Sequence, residues 1–284
     1  MSDSYFPGPV CSSQKDKSFW ISTFSSFGSS FLLLSILSLM IYFSLWRNKT
    51  SSHAFTKNFS HLSFVISLFL KAVGFCAAGI LLRFQINWQY ISPFILDIPQ
   101  ASITFGFSFI FMVTCISYGH LLSKQAADKF NKAVYGISIL SGIFFLCTVI
   151  LCISYYLSEK SIIFHINLWV SSIRDMIISI SYIILFSLIQ KLRVVPPNDT
   201  NQSEKNVNIL SYITLSCLIL RAILYPIEII IFSPKLTHNQ TSQCGIGALL
   251  YFVFQTIFCD ILPVICILLL QGMMDTVLSY DSIQ

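Results

Sequence analysis

Seven predominantly apolar runs divide this chain, and each is long enough for an α-helix to cross the hydrocarbon core of a bilayer, which takes about 20 residues. They are Trp20 to Leu45, His61 to Leu82, Ile91 to Tyr118, Ala133 to Leu157, Ile166 to Gln190, Asn208 to Phe232 and Ile246 to Leu270. Each is bounded by polar or charged residues. A membrane β-barrel is built from segments of about ten residues with alternating polarity, so these continuous runs exclude one. Hydrophobic residues make up 55% of the chain and charged ones 10%, against about 25% charged in soluble domains. A core of this size could not hide so much apolar surface from water. Lipid must therefore be the solvent, and the expected fold is an all-α seven-transmembrane helix bundle over residues 20–270, with tails at 1–19 and 271–284. The longest break, Lys191 to Val207, contains Pro196-Pro197 and a stretch rich in Asn, Asp and Ser, and is expected to be a disordered loop.

Orientation follows from Lys and Arg, which stay in cytosolic loops. Nine of them fall in the odd-numbered loops: Arg47, Lys49, Lys57, Lys124, Lys129, Lys132, Lys191, Arg193 and Lys205. Five fall in the amino-terminal tail and even loops: Lys15, Lys17, Arg83, Lys160 and Lys235. The amino terminus is expected in the lumen or outside the cell and the carboxy terminus in cytosol. The first eighteen residues are polar and the first apolar run is too long for a signal h-region, so the first helix is expected to be its own insertion signal. The net charge of +5 then reflects topology rather than nucleic-acid binding. Among glycosylation triplets only that at Asn239 would be luminal; those at Asn48, Asn58, Asn198 and Asn201 would face cytosol, and an inverted topology would reverse this.

Of nine cysteines, seven lie within apolar runs and are expected to be packing residues. Cys11 and Cys244 would both face the oxidising side, where a bridge between them could persist. The charges inside the runs carry more information, because an ionisable group at bilayer depth is costly and functional by default. Six stand out, Lys71, Arg174, Asp175, Arg221, Glu228 and Asp260, three cations and three anions. Either they pair inside the bundle and fix which helices touch, or they line a substrate, ion or proton path. Lys71 and Asp260 are expected to pair.

Enzyme chemistry lacks its residues. The GxSxG, HExxH and Walker patterns are absent, and His53, His61, His120, His165 and His238 are spread over both ends of the helices rather than gathered as zinc ligands. No metal or cofactor is expected. A rhodopsin-like receptor would carry an acidic-Arg-aromatic triplet at the end of helix three, where this chain has Ser117-Tyr118-Gly119-His120, and an Asn-Pro-x-x-Tyr motif in helix seven that is missing.

Helices two, three, five, six and seven carry a closer likeness. Helix two has His61-Leu62-Ser63-Phe64 and Leu70-Lys71-Ala72-Val73-Gly74-Phe75; helix three opens Phe94-Ile95-Leu96-Asp97-Ile98-Pro99-Gln100. Helix five ends Gln190-Lys191-Leu192-Arg193, helix six has Leu220-Arg221-Ala222, and helix seven has Leu249-Leu250-Tyr251 and Cys259-Asp260-Ile261-Leu262-Pro263. In this series the chain resembles the tobamovirus multiplication protein family of plants, which is distantly similar to orphan receptor-like proteins of animal lysosomes. Lys71 stands where that family usually has Arg and Asp260 where it has Glu, and its Phe-Trp-Ala-Glu segment in helix three is not reproduced. The resemblance implies a multipass scaffold of a vacuolar or lysosomal membrane that recruits cytosolic partners, among them Arf-like small GTPases. Its partner face would be formed by Arg47, Lys49, Lys57, Lys124, Lys129, Lys132, Lys191 and Arg193. A ligand-sensing receptor, in the plasma membrane for instance, and a small-solute transporter stay open beside it.

The charge asymmetry makes a testable prediction. In protease protection, tags placed between Arg47 and Ser60 will be digested from the cytosolic side and Asn239 will be the site that takes a glycan; glycans on Asn198 or Asn201 would invert the topology.

Overall fold

The computed structural model describes residues 14–47, 54–84, 93–117, 123–158, 161–192, 202–232 and 246–270. At several helix ends, including Arg47, Lys57, Lys124 and Glu228, only the backbone is described. All but two of the described residues are helical, in α1 (Gln14–Arg47), α2 (Ala54–Arg83), α3 (Ile98–Ser117), α4 (Lys124–Ser158), α5 (Ser161–Leu192), α6 (Gln202–Phe232), α7 (Ile246–Gln255) and the segments that adjoin them. A π-helical segment, Pro93–Asp97, leads into α3. A second, Thr256–Ile261, follows α7, and the helix then runs on to Leu270. Seven helices are long and apolar enough to cross a bilayer, and no strand occurs among the described residues.

Neighbours in sequence are neighbours in space, and each pair is antiparallel. Phe24 meets Phe75 while Ser35, further along α1, bonds the Val65 carbonyl earlier in α2. The same inversion relates Phe94 with Tyr156 to Phe105 with Phe145, and Tyr155 with Phe164 to Ser138 with Tyr182. Trp20, Phe24 and Phe27 all touch Phe252, which closes α7 against α1. The helix α3 lies at the centre, with 83% of its most apolar stretch buried against 22% for α4. Leu33, Met40, Ile80, Ile139, Ile150 and Leu250 stand exposed on the outside. An apolar exterior of this kind suits an integral multipass membrane protein, since lipid tails are as apolar as Leu.

The helices overrun the apolar runs, and this corrects the expected loops. Lys124, Lys129 and Lys132 lie within α4, not in a connection, because α4 starts nine residues before Ala133. Between Lys191 and Val207, α5 extends to Leu192 and α6 begins at Gln202, so the expected disordered loop is helical at both ends. Hydropathy marks only what lipid covers. Gln, Glu, Lys and Ala are good helix formers that continue the hydrogen-bond ladder into water.

Three prolines inside the helices each remove an N–H that the carbonyl four residues back would have accepted. For Pro226 that carbonyl belongs to Ala222, and Ser172 Oγ donates to it at 2.6 Å. For Pro263 the preceding turn widens: the Leu262 N–H bonds the Ile257 oxygen five residues back, which makes the π segment. For Pro99 the carbonyl is that of Ile95, in the other π segment, and it lies against Gly74 of α2. A Cβ on Gly74 would stand 2.1 Å from that oxygen. Gly74 is thus the residue that lets the widened turn approach α2.

Gly74→Ala should therefore destabilise the bundle by about 1–3 kcal/mol through forced backbone displacement. Gly79→Ala, whose new Cβ would find its nearest neighbour at 3.5 Å, should be neutral or slightly stabilising because Ala favours helix. Thermal unfolding of the two purified variants in detergent checks this; equal melting temperatures would refute the close approach.

Candidate functional site

Five of the six charged residues singled out in the apolar runs meet in one buried cluster near the middle of the bundle. It is assembled from five helices: Lys71 on α2, Gln100 and Thr104 on α3, Arg174 and Asp175 on α5, Arg221 on α6, and Asp260 on the π segment after α7. Gln100 and Thr104 are four residues apart and so share one face of α3. All these groups are nearly inaccessible: Asp175 is 0% exposed, Arg174 and Arg221 1%, Lys71 5% and Asp260 6%.

Arg221 is the hub, since each of its three nitrogens donates to a different helix. Nε bonds Asp175 Oδ2 at 2.7 Å, Nη1 bonds Asp260 Oδ1 at 3.1 Å and Nη2 bonds Thr104 Oγ1 at 2.5 Å. The second oxygen of Asp175 accepts from Arg174 Nε at 2.9 Å. Gln100 links the other side. Its Oε1 accepts from Lys71 Nζ and its Nε2 donates to Asp260 Oδ1 at 2.8 Å. Only this amide orientation works, because an ammonium can only donate and a carboxylate only accept. The Lys71 ammonium is 3.8 Å from Asp260 Oδ2 and 5.0 Å from the centre of the Phe75 ring, a cation–π distance. Arg174 Nη1 and Nη2 are buried and make no hydrogen bond.

Lys71 and Asp260, expected as partners, are thus brought together, but Gln100 bridges them and the closer cation on Asp260 is Arg221. The expected balance of three cations and three anions depends on Glu228, whose side chain lies outside the described residues. The described cluster holds three cations and two carboxylates. Cys11 and Cys244, the proposed bridge, also lie outside the described residues, as do Lys49 and Arg193. The seven cysteines within the helices are free; five are buried, whereas Cys76 and Cys147 are exposed on the outside rather than packed in the core. Lys129, Lys132 and Lys191 are exposed, and Lys132 pairs with Asp128 at 3.0 Å one turn earlier. Among the described residues no group of His, Cys, Asp or Glu is placed to hold a metal ion.

Four further polar residues, not singled out by charge or motif as site residues, join the helices in and around the cluster. Gln100 and Thr104 are neutral, and a neutral polar residue inside an apolar run gives no warning that it joins two charges. Asp97, in the first π segment, accepts from Asn167 Nδ2 at 2.8 Å and ties that segment to α5. Tyr182 donates to the Ser108 carbonyl at 2.7 Å and lies 3.5 Å from Ser138 Oγ, joining α3, α4 and α5. The signal for Asp97 was present, since it is a carboxylate two residues before a proline, as Asp260 is three before Pro263. No protein family, no characterised protein and no solved structure matches the chain.

The geometry ranks two substitutions. Asp260→Asn strips the carboxylate shared by Lys71 and Arg221, so it should cost about 3–5 kcal/mol, the range for one partner of a buried pair. Lys71→Met should cost less, because Asp260 keeps Arg221 and Gln100. The double variant should be more stable than the sum of the singles predicts. Unfolding midpoints of all four proteins measure this, and strict additivity would show that Lys71 and Asp260 do not interact.

Proposed function

We propose that this chain is a multipass endomembrane scaffold that recruits a cytosolic partner, an Arf-like small GTPase, to a vacuolar or lysosomal membrane. The observation that carries the reading is the set of exposed lysines on helical extensions at one end of the bundle. Lys129 and Lys132 stand on the early turns of α4, Lys191 on the last turn of α5 and Lys205 near the start of α6. In an antiparallel bundle the start of α4, the end of α5 and the start of α6 share one end. Lysines held on helices keep a fixed spacing that a loop would not, and a fixed positive surface selects and steers an acidic partner. The single ion pair described there, Lys132 with Asp128, is surface-exposed and contributes little, so it leaves the basic character intact. The likeness to the tobamovirus multiplication protein family supports the same use of this end.

A ligand-sensing receptor is the second reading, favoured by the buried cluster. One guanidinium bonded to three helices is a point at which a ligand could change the packing of all of them, and π segments such as the one carrying Asp260 are frequent at functional sites.

Lys129→Glu with Lys132→Glu should preserve membrane insertion and abolish most partner recruitment. Proximity labelling from the start of α4 should recover a GTP-loaded Arf-like protein from the wild type and lose it from the variant. Recovery of heterotrimeric G-protein subunits instead would replace the scaffold by the receptor.

A further inference from the structure

We propose that the free edge of the Arg174 guanidinium anchors an anion site inside the bundle that takes a single carboxylate group. Two observations converge on it. Arg174 is 1% exposed, and its Nη1 and Nη2 have no hydrogen-bond partner, although Nε is spent on Asp175. Arg221 leaves no comparable free edge, for every nitrogen of its side chain already donates. A buried guanidinium stays charged, so its unpartnered edge calls for acceptors.

The shape of the free guanidinium edge selects the ligand. The Nη1 and Nη2 edge presents two roughly parallel N–H groups, the fork that a carboxylate accepts with both oxygens. Chloride has no second acceptor for the fork. The carboxylate could belong to a dissolved organic acid or to a fatty acid entering sideways from the bilayer, and the chemistry at Arg174 is the same for both. This site is independent of what binds the basic end of the bundle.

The test uses the full-length protein in detergent, in chloride-free buffer, with thermal stabilisation and calorimetric binding as readouts. Benzoate probes the dissolved source and oleate the lipid source. Saturable binding of either, weakened at least about tenfold in Arg174→Lys, which keeps the charge and loses the fork, supports the site. Benzoate binding identifies a solute and binding of oleate alone identifies a lipid. Arg174→Gln should lose binding as well, and Arg174→Lys remains informative if that variant does not fold. Failure of the wild type to bind either probe, equal affinity in Arg174→Lys, or displacement of both probes by millimolar chloride would overturn the proposal. Binding that appears only in Glu228→Gln would also overturn it, by showing that the chain's own carboxylate fills the place.

Discussion

The three-way hydrogen bonding of Arg221 sets how the helices meet. Between helices that meet inside lipid there is little hydrophobic force to choose one neighbour over another, so packing and polar contacts choose. Arg221 donates to Asp175 on α5, Asp260 beyond α7 and Thr104 on α3. Taken alone, each of these charges would be too costly to bury. Together they satisfy one another, and only when four helices meet at one height. Gln100 brings in the fifth by connecting Lys71 to Asp260. The cluster acts as a register mark: sliding any of these helices by a turn would strand a charge.

The same demand for satisfied polar groups explains the backbone. A proline inside a membrane helix frees a carbonyl that water cannot reach, and neighbouring groups must cover it. Ser172 covers the Ala222 oxygen released by Pro226, and this bond lies close to Asp175 and Arg221 on the same two helices. The widened turn before Pro263 holds Asp260 itself. An extra residue in a turn rotates everything before it relative to everything after it. The proline therefore helps decide which way the helix presents its carboxylate. At Pro99 the released carbonyl is tolerated because Gly74 has no side chain to collide with it.

Two helices connect the buried cluster to the basic end. The helix α5 carries Arg174 and Asp175 near its middle and Lys191 in its last turn, while α6 carries Lys205 near its start and Arg221 further along. On the proposed function, a change in the pairing of Arg221 would bear on both helices whose ends present the lysines. Scaffold and receptor readings then differ in what occupies the two places and share the same rigid elements between them.

The number and order of the helices, and most of the charges inside them, were legible from the chain alone, because the length of an apolar run and the cost of a charge within it are local properties. It misplaced the helix ends at Lys124 and Gln202, since helix formation continues past the point where hydropathy stops. It also named Lys71 and Asp260 as partners without Gln100 or Arg221 between and beside them. Those links come from tertiary packing. Arg221 and Thr104 are 117 positions apart, and Gln100 and Asp260 are 160 apart, so their meeting depends on how whole helices rotate and slide against one another. A neutral Gln or Thr within an apolar run has the same local signature whether it faces lipid, a helix backbone or a buried guanidinium. Which of these it faces is fixed by the packing of the helices around it.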